Sequence, residues 1–180
     1  MGCKMNALRY AMLILFIFSS MSNAIEKCSS NIIECTNTSL GKLEYDWGGN
    51  AADHKSSVLL NGEVIFSNNS LQIGEDVIGD GRVLDGNNKV SKVIVYYRID
   101  DLHLIDNTFR YKAYRIFDFS GKKVTISNEF YPPANYDAPI KWVSWGQKNS
   151  VIAFEDGSRF RYEKGQVTMI KAGSENNSDN

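Results

Sequence analysis

Ser150–Ile170 reads SVIAFEDGSRFRYEKGQVTMI, and this stretch decides the fold class. SVIAF and SRFRY are short β-prone runs separated by Glu155-Asp156-Gly157, and Lys164-Gly165 then turns the chain into QVTMI. Such runs bounded by tight glycine-containing turns are the signature of consecutive hairpins. In SRFRY the side chains alternate, with Phe160 and Tyr162 on one face and Arg159 and Arg161 on the other. That is a strand with one dry and one wet face. Val151–Phe154 is apolar at every position, which predicts burial on both faces.

Moving outward, KWVSW (Lys141–Trp145) supplies a further strand before this run. Trp142 and Trp145 are three residues apart, so on a strand they face opposite sides, one toward the core and one toward the surface or rim. Four short strands joined by tight turns resemble one blade of a β-propeller, with Lys92–Phe130 as a looser blade before it. The Gly-His/Trp-Asp signature of such repeats is absent, and a sandwich or barrel fits the same strands. Upstream, Val58–Leu60, Asn61-Gly62 and Glu63–Ser67 form a hairpin pattern in which Asn-Gly supplies the positive φ angles of a type I′ turn. Tyr114–Phe119 and Lys122–Ile126 flank Ser120-Gly121 in the same way, and Lys92–Ile99 is β-branched and aromatic, with Val93–Tyr97 buried on both faces. No segment after the N-terminus keeps apolar residues at helical spacing beyond about two turns. The expectation is an all-β domain of antiparallel hairpins, arranged as a small propeller-like, sandwich or barrel structure.

Two segments read as something other than strands. Leu71–Lys89 is dense in Gly, Asp and Asn and predicts a long exposed excursion. Asn128–Pro139 combines three prolines with aromatics, which predicts a stiff exposed loop.

The N-terminus carries Lys4 and Arg9, the unbroken apolar run Tyr10–Phe18, and Ser22-Asn23-Ala24. This layout is that of a secretory signal, cleaved after residue 24, and the run is about half the length of roughly 20 residues that a spanning helix needs. A myristoylated start is disfavoured by Asn6, and a lipoprotein cysteine by Ile25-Glu26-Lys27 before Cys28. Removing 24 of the 180 residues leaves 156, with a single all-β domain over 25–172 and an apolar-free, disordered tail over 173–180. Cys3 departs with the signal, and in an oxidising compartment Cys28 and Cys35 pair as a disulfide. Loss of Lys4 and Arg9 takes the formal charge from −1 to −3, and no basic stripe of a nucleic-acid binder is present.

Catalytic and metal signatures are absent. Asp76, Asp80 and Asp85 do not have the spacing of a calcium loop and read as turn residues. His54 and His103 neighbour acids, yet neither a Gly-x-Ser-x-Gly nor a His-Glu-x-x-His pattern accompanies them. Glu44, Asp46, Glu129 and Asp137 lie near aromatics as a conceivable carboxylate pair of a glycosidase. No cofactor motif occurs. The aromatics carry more information: Trp47, Trp142, Trp145, Tyr131 and Tyr136 provide the rings of a recognition surface or of the core.

In compartment, size and β-rich design the chain resembles the small periplasmic immunity proteins that neutralise injected toxins, and in outline the lysozyme inhibitors. The resemblance implies a partner enzyme or toxin bound by a rigid loop, for which Tyr131, Asn135 and Tyr136 on Asn128–Pro139, together with Trp145, are the candidate contacts. The alternatives are a secreted glycan-binding module or hydrolase, and a structural envelope protein.

Overall fold

A computed structural model describes residue 28 and residues 34–46, 55–69, 73–76, 81–101 and 109–174. Residues 1–24, read above as a secretory signal, and Trp47, His54, Asp80, His103 and residues 175–180 lie outside the described residues.

Every regular element among the described residues is a strand, so the chain is all-β. The first half contains β1 (Glu34–Thr38), β2 (Gly41–Asp46), β3 (Ser56–Leu60), β4 (Glu63–Asn68), β5 (Ile73–Glu75) and β6 (Arg82–Leu84). Two long strands follow, β7 (Val90–Asp101) and β8 (Phe109–Asp118), then the short β9 (Thr125–Ile126). The last four are β10 (Ile140–Ser144), β11 (Ser150–Phe154), β12 (Arg159–Glu163) and β13 (Gln166–Lys171).

These strands make two sheets. Nine form a curled half-barrel with the order β4-β3-β2-β1-β7-β8-β9, in which β5 and β6 also pair with β7. The other four form the antiparallel meander β10-β11-β12-β13. The all-β expectation therefore holds, and β10–β13 has the form a blade would have. Lys92–Phe130 is not a second blade, because β7 and β8 pair with each other inside the nine-stranded sheet. A two-sided apolar strand satisfies blade stacking and sandwich packing equally well, and here it serves two different layers.

The alternation along β7 and β8 shows how. Val93, Val95 and Tyr97, with Ala113 and Phe117, face a core completed by Leu43, Tyr45, Val58 and Ile73 inside the half-barrel. The intervening Ile94, Tyr114 and Ile116 face a second core with Ile140, Ile152, Phe154, Phe160 and Tyr162 of the four-stranded sheet. With a period of two, a strand buried on both faces must be apolar at both phases, which accounts for KVIVYY. β12 faces only one core, and its side chains alternate between exposed and buried as its sequence predicts.

The tight turns form where the local chemistry demands. Asn61 and Gly62 have φ of 54° and 81°, and Lys164 and Gly165 have 49° and 84°. Each pair closes a two-residue hairpin. Asn61 also reaches sideways to β2, its Oδ1 accepting from the Lys42 amide at 2.9 Å and its Nδ2 donating to the Leu40 carbonyl at 3.2 Å. Gly41 (φ 135°) makes room for this, since a Cβ there would lie 2.0 Å from Asn61 Oδ1.

Leu71–Lys89 departs from its expected form. Rather than an exposed excursion throughout, it contributes β5 and β6, and Ile73, Gly74, Glu75, Asp76 and Gly81 are buried. Ile94 joins the two pieces, donating its amide to the Gly81 carbonyl at 2.7 Å and accepting from the Asp76 amide at 2.9 Å. The glycines serve close approach instead of flexibility: a Cβ on Gly81 would sit 1.8 Å from the Asp76 carbonyl oxygen. Strands β1 and β2 also form where composition is mostly polar. Cys35 lies in β1 opposite Glu44 of β2, so the Cys28–Cys35 disulfide ties the preceding chain directly to the half-barrel.

Two substitutions test this architecture by urea unfolding. Ile94→Ala, which empties a fully buried site between the two sheets, is expected to cost about 2–5 kcal/mol. Gly41→Ala is expected to cost about 1–3 kcal/mol through its strained φ and its collision with Asn61. A shift below about 0.5 kcal/mol for either would contradict the packing described.

Candidate recognition surface

Asn128–Pro139 does not project freely from the fold. It runs beside β8 and is fastened to it along its length. The Ser127 amide donates to the Ile116 carbonyl at 2.9 Å, and the Ser127 hydroxyl accepts from the Ile116 amide at 2.9 Å. Phe130 and Tyr114 exchange both backbone hydrogen bonds, at 2.9 and 3.0 Å, and the Tyr136 carbonyl accepts from the Lys112 amide at 3.4 Å. The Phe130 ring enters the second core, 5.4 Å from Phe160 and 5.8 Å from Tyr114. Pro132 and Ala138 are buried as well.

Fixing the segment this way leaves Tyr131 and Tyr136 outward. They are 38% and 36% exposed, with ring centroids 5.6 Å apart and planes tilted by 39°. Asn135 shapes the turn between them: its Oδ1 accepts from the Asp137 amide at 3.1 Å and its carbonyl from the Ala138 amide at 2.9 Å. Asn128 fastens the same segment to the other sheet. Its Oδ1 accepts from the Val167 amide at 2.7 Å while its Nδ2 donates to the Val167 carbonyl at 3.0 Å.

The tryptophans fall on opposite faces as their spacing predicts. Trp145 is half-buried and packs against the second core. Trp142 lies on the outer face of β10, 37% exposed, with the Arg159 guanidinium 5.8 Å from its ring centroid.

Of the four carboxylates considered as an acid pair, Glu44 and Glu129 have other tasks. Glu44 is buried and ion-paired to Lys42 at 2.9 Å on β2, the strand that also carries Asp46. Glu129 accepts a short hydrogen bond from the Tyr97 hydroxyl and lies 3.8 Å from Arg115. Arg115 donates in turn to the Tyr97 hydroxyl at 3.0 Å and to the Ser127 carbonyl at 2.7 Å, with Phe66 of β4 beneath its guanidinium at 5.3 Å. This cluster joins β4 to the β7–β8 wall. Burial, then the Glu129 hydrogen bond, pushes the Tyr97 phenol well above its ordinary range. Burial does the same to Tyr162, helped by the hydrogen bond it donates to Asp118 at 2.9 Å. Tyr114 is raised too, by burial and then by Asp76 and Asp137, and its buried hydroxyl has no hydrogen-bond partner among the described residues.

The acidic stretch separates into distinct structural roles. Asp76 is buried next to β5, and Asp85 caps a turn. Asp85 Oδ1 accepts from the Asn87 and Lys89 amides at 2.8 and 3.0 Å, and Oδ2 accepts from the Ser39 hydroxyl at 2.9 Å. Among the described residues, no three His, Cys, Asp or Glu side chains converge as metal ligands. Sequence reasoning had not singled out Phe130, Asn128 or Arg115. Nothing local distinguishes them, because their partners are more than ten residues away in the chain.

The chain matches no protein-family model, curated protein or solved structure.

Asp85 yields a pH-dependent expectation. Its carboxyl is held below the ordinary value of 3.8, first by the Lys89 amide and then by Asn87 and Ser39, against an opposing desolvation. A depressed folded-state pKa stabilises above the unfolded value and loses that contribution as pH falls through the folded one. The stability gap between the parent and Asp85→Ala, measured by urea midpoints, is therefore expected to be full at neutral pH and to narrow below pH 3.8. A gap of constant size across the acid range would refute this role.

Proposed function

We propose that the chain is an exported binding protein that holds a partner protein, in the manner of an inhibitor or a toxin-neutralising immunity protein, through the Tyr131–Tyr136 face. The observation carrying this reading is the exposed tyrosine pair on a segment fastened to both sheets. Large aromatic rings held on a rigid base give up little conformational entropy on docking, and tyrosines are prominent among interface hot spots. The contact is a fixed aromatic ledge instead of a mobile inserted loop, since Phe130, Pro132 and Ala138 are buried.

Export is supported by the N-terminal layout of charge, apolar run and small residues, and by the paired Cys28 and Cys35. The periplasm is the compartment proposed. No helix among the described residues is long and apolar enough to cross a membrane.

The test uses the full chain as bait against periplasmic extract and competitor lysates, in parallel with a glycan array. Tyr131→Ala/Tyr136→Ala is expected to weaken the captured partner by about 100-fold or more, with an unchanged urea midpoint. Undiminished capture by that variant, or retention on glycans with no protein partner, would overturn the proposal.

A further inference from the structure

Asn61-Gly62 is the only Asn-Gly pair in the chain, and its chemistry goes beyond closing a hairpin. Because glycine has no side chain, the Gly62 backbone nitrogen can be approached closely by the Asn61 carboxamide. Both residues are exposed, and nothing lies within 4 Å of where a Cβ on Gly62 would be. Water therefore reaches the pair.

What opposes reaction is a clamp on the carboxamide. Oδ1 accepts from the Lys42 amide at 2.9 Å and Nδ2 donates to the Leu40 carbonyl at 3.2 Å, while the Asn61 amide donates to the Lys42 carbonyl at 2.8 Å. Gly41 lies between the two clamping residues, and a Cβ on it would collide with the carboxamide. The same turn joins the parts of the half-barrel. Thr38 of β1 pairs with Val90 of β7, the Ser39 amide donates to the Val90 carbonyl at 3.0 Å, and the Ser39 hydroxyl donates to Asp85 at 2.9 Å. The clamp thus sits at the corner where β1–β4 meet β7.

We propose that Asn61 is a latent deamidation site with water as co-reactant, shut while Leu40 and Lys42 hold its carboxamide and open when that corner loosens. In the reaction the Gly62 nitrogen bonds to Asn61 Cγ, the Cγ–Nδ2 bond breaks, and ammonia departs with the Gly62 amide proton. The five-membered succinimide then adds water across one of its two ring carbonyl–nitrogen bonds. Opening at Cγ gives aspartate, and opening at the Asn61 main-chain carbonyl gives isoaspartate, which adds a methylene to the backbone. The net exchange is one water for one ammonia, with no oxidation or reduction. Closure must bring Cγ onto the nitrogen and release Nδ2, and a carboxamide bonded at both ends does neither. Neither ionised product can donate to the Leu40 carbonyl, and both bring a negative charge to the corner, so the clamp does not re-form as it was.

The experiment incubates the full chain at mildly alkaline pH, in native buffer and in urea above the unfolding transition. Conversion at Asn61 is followed by peptide mapping with isoaspartate-methyltransferase labelling. The native chain is expected to convert more slowly than the unfolded chain by about tenfold or more, since both clamp bonds must open first. Gly41→Ala, whose methyl displaces the carboxamide, is expected to convert about fivefold or more faster than the parent in native buffer. Gly62→Ala, compared in urea so that folding is not at issue, is expected to slow conversion by about tenfold or more. The converted chain is expected to exchange its Lys42 amide hydrogen faster than the parent. Equal rates for native and unfolded parent, a folded Gly41→Ala that converts no faster than the parent, an unslowed Gly62→Ala, or unchanged exchange at Lys42 would overturn the proposal. Should Gly41→Ala not fold, the comparison of native with unfolded parent decides.

Discussion

The structure rests on a hairpin that is buried on both sides. β7 and β8 form the wall between two cores, so their side chains must be apolar at both phases of the strand period. Ile94 concentrates this demand. Its side chain is fully buried against the four-stranded sheet, while its amide and carbonyl hold β6 and β5 on the half-barrel. Removing apolar area here disturbs both layers, because both cores are built on the side chains of this hairpin.

Polar groups finish what this wall begins. Tyr162 donates to Asp118 and joins the meander to β8, and the Tyr97–Arg115–Glu129 cluster joins β8 and β7 to the segment after β9. Each phenol is held protonated by burial, so each remains a hydrogen-bond donor. The Asn128–Pro139 segment is held in place by these contacts and by its bonds to β8. Tyr131 and Tyr136 keep their places because Phe130 between the layers and Ser127 on β8 leave the intervening backbone little freedom.

What was legible in the sequence was local. Asn61-Gly62 announces a hairpin because both residues accept a positive φ readily, whereas Lys164-Gly165 is announced by its glycine, with Lys164 carried into a positive φ by the turn. The alternation in SRFRY reports one wet face, and the opposed Trp142 and Trp145 follow from the period of two. What was not legible depended on distant partners. β5 and β6 are three residues each, lie in a stretch rich in glycine and acids, and become strands because β7 presents a free edge of backbone groups. The run KVIVYY declares burial on both faces but not what lies there, so a ring of blades and two unlike layers read the same. Tyr131 and Tyr136 stood out as aromatics among prolines. The anchoring of their segment, through Phe130 and Asn128, was invisible until the sheets were in place.

Asn128 has a consequence beyond fastening that segment. One side chain satisfies both the amide and the carbonyl of Val167, doing at this point what a neighbouring strand would do. An unpaired sheet edge is a template on which a further strand, from the same or another molecule, can add. Here the template is already occupied at Val167, and the register shift and Lys171 farther along β13 make the rest a poor match for a straight strand. The β13 border of the meander is therefore guarded at Val167 by a single amide side chain where another sheet would have a strand.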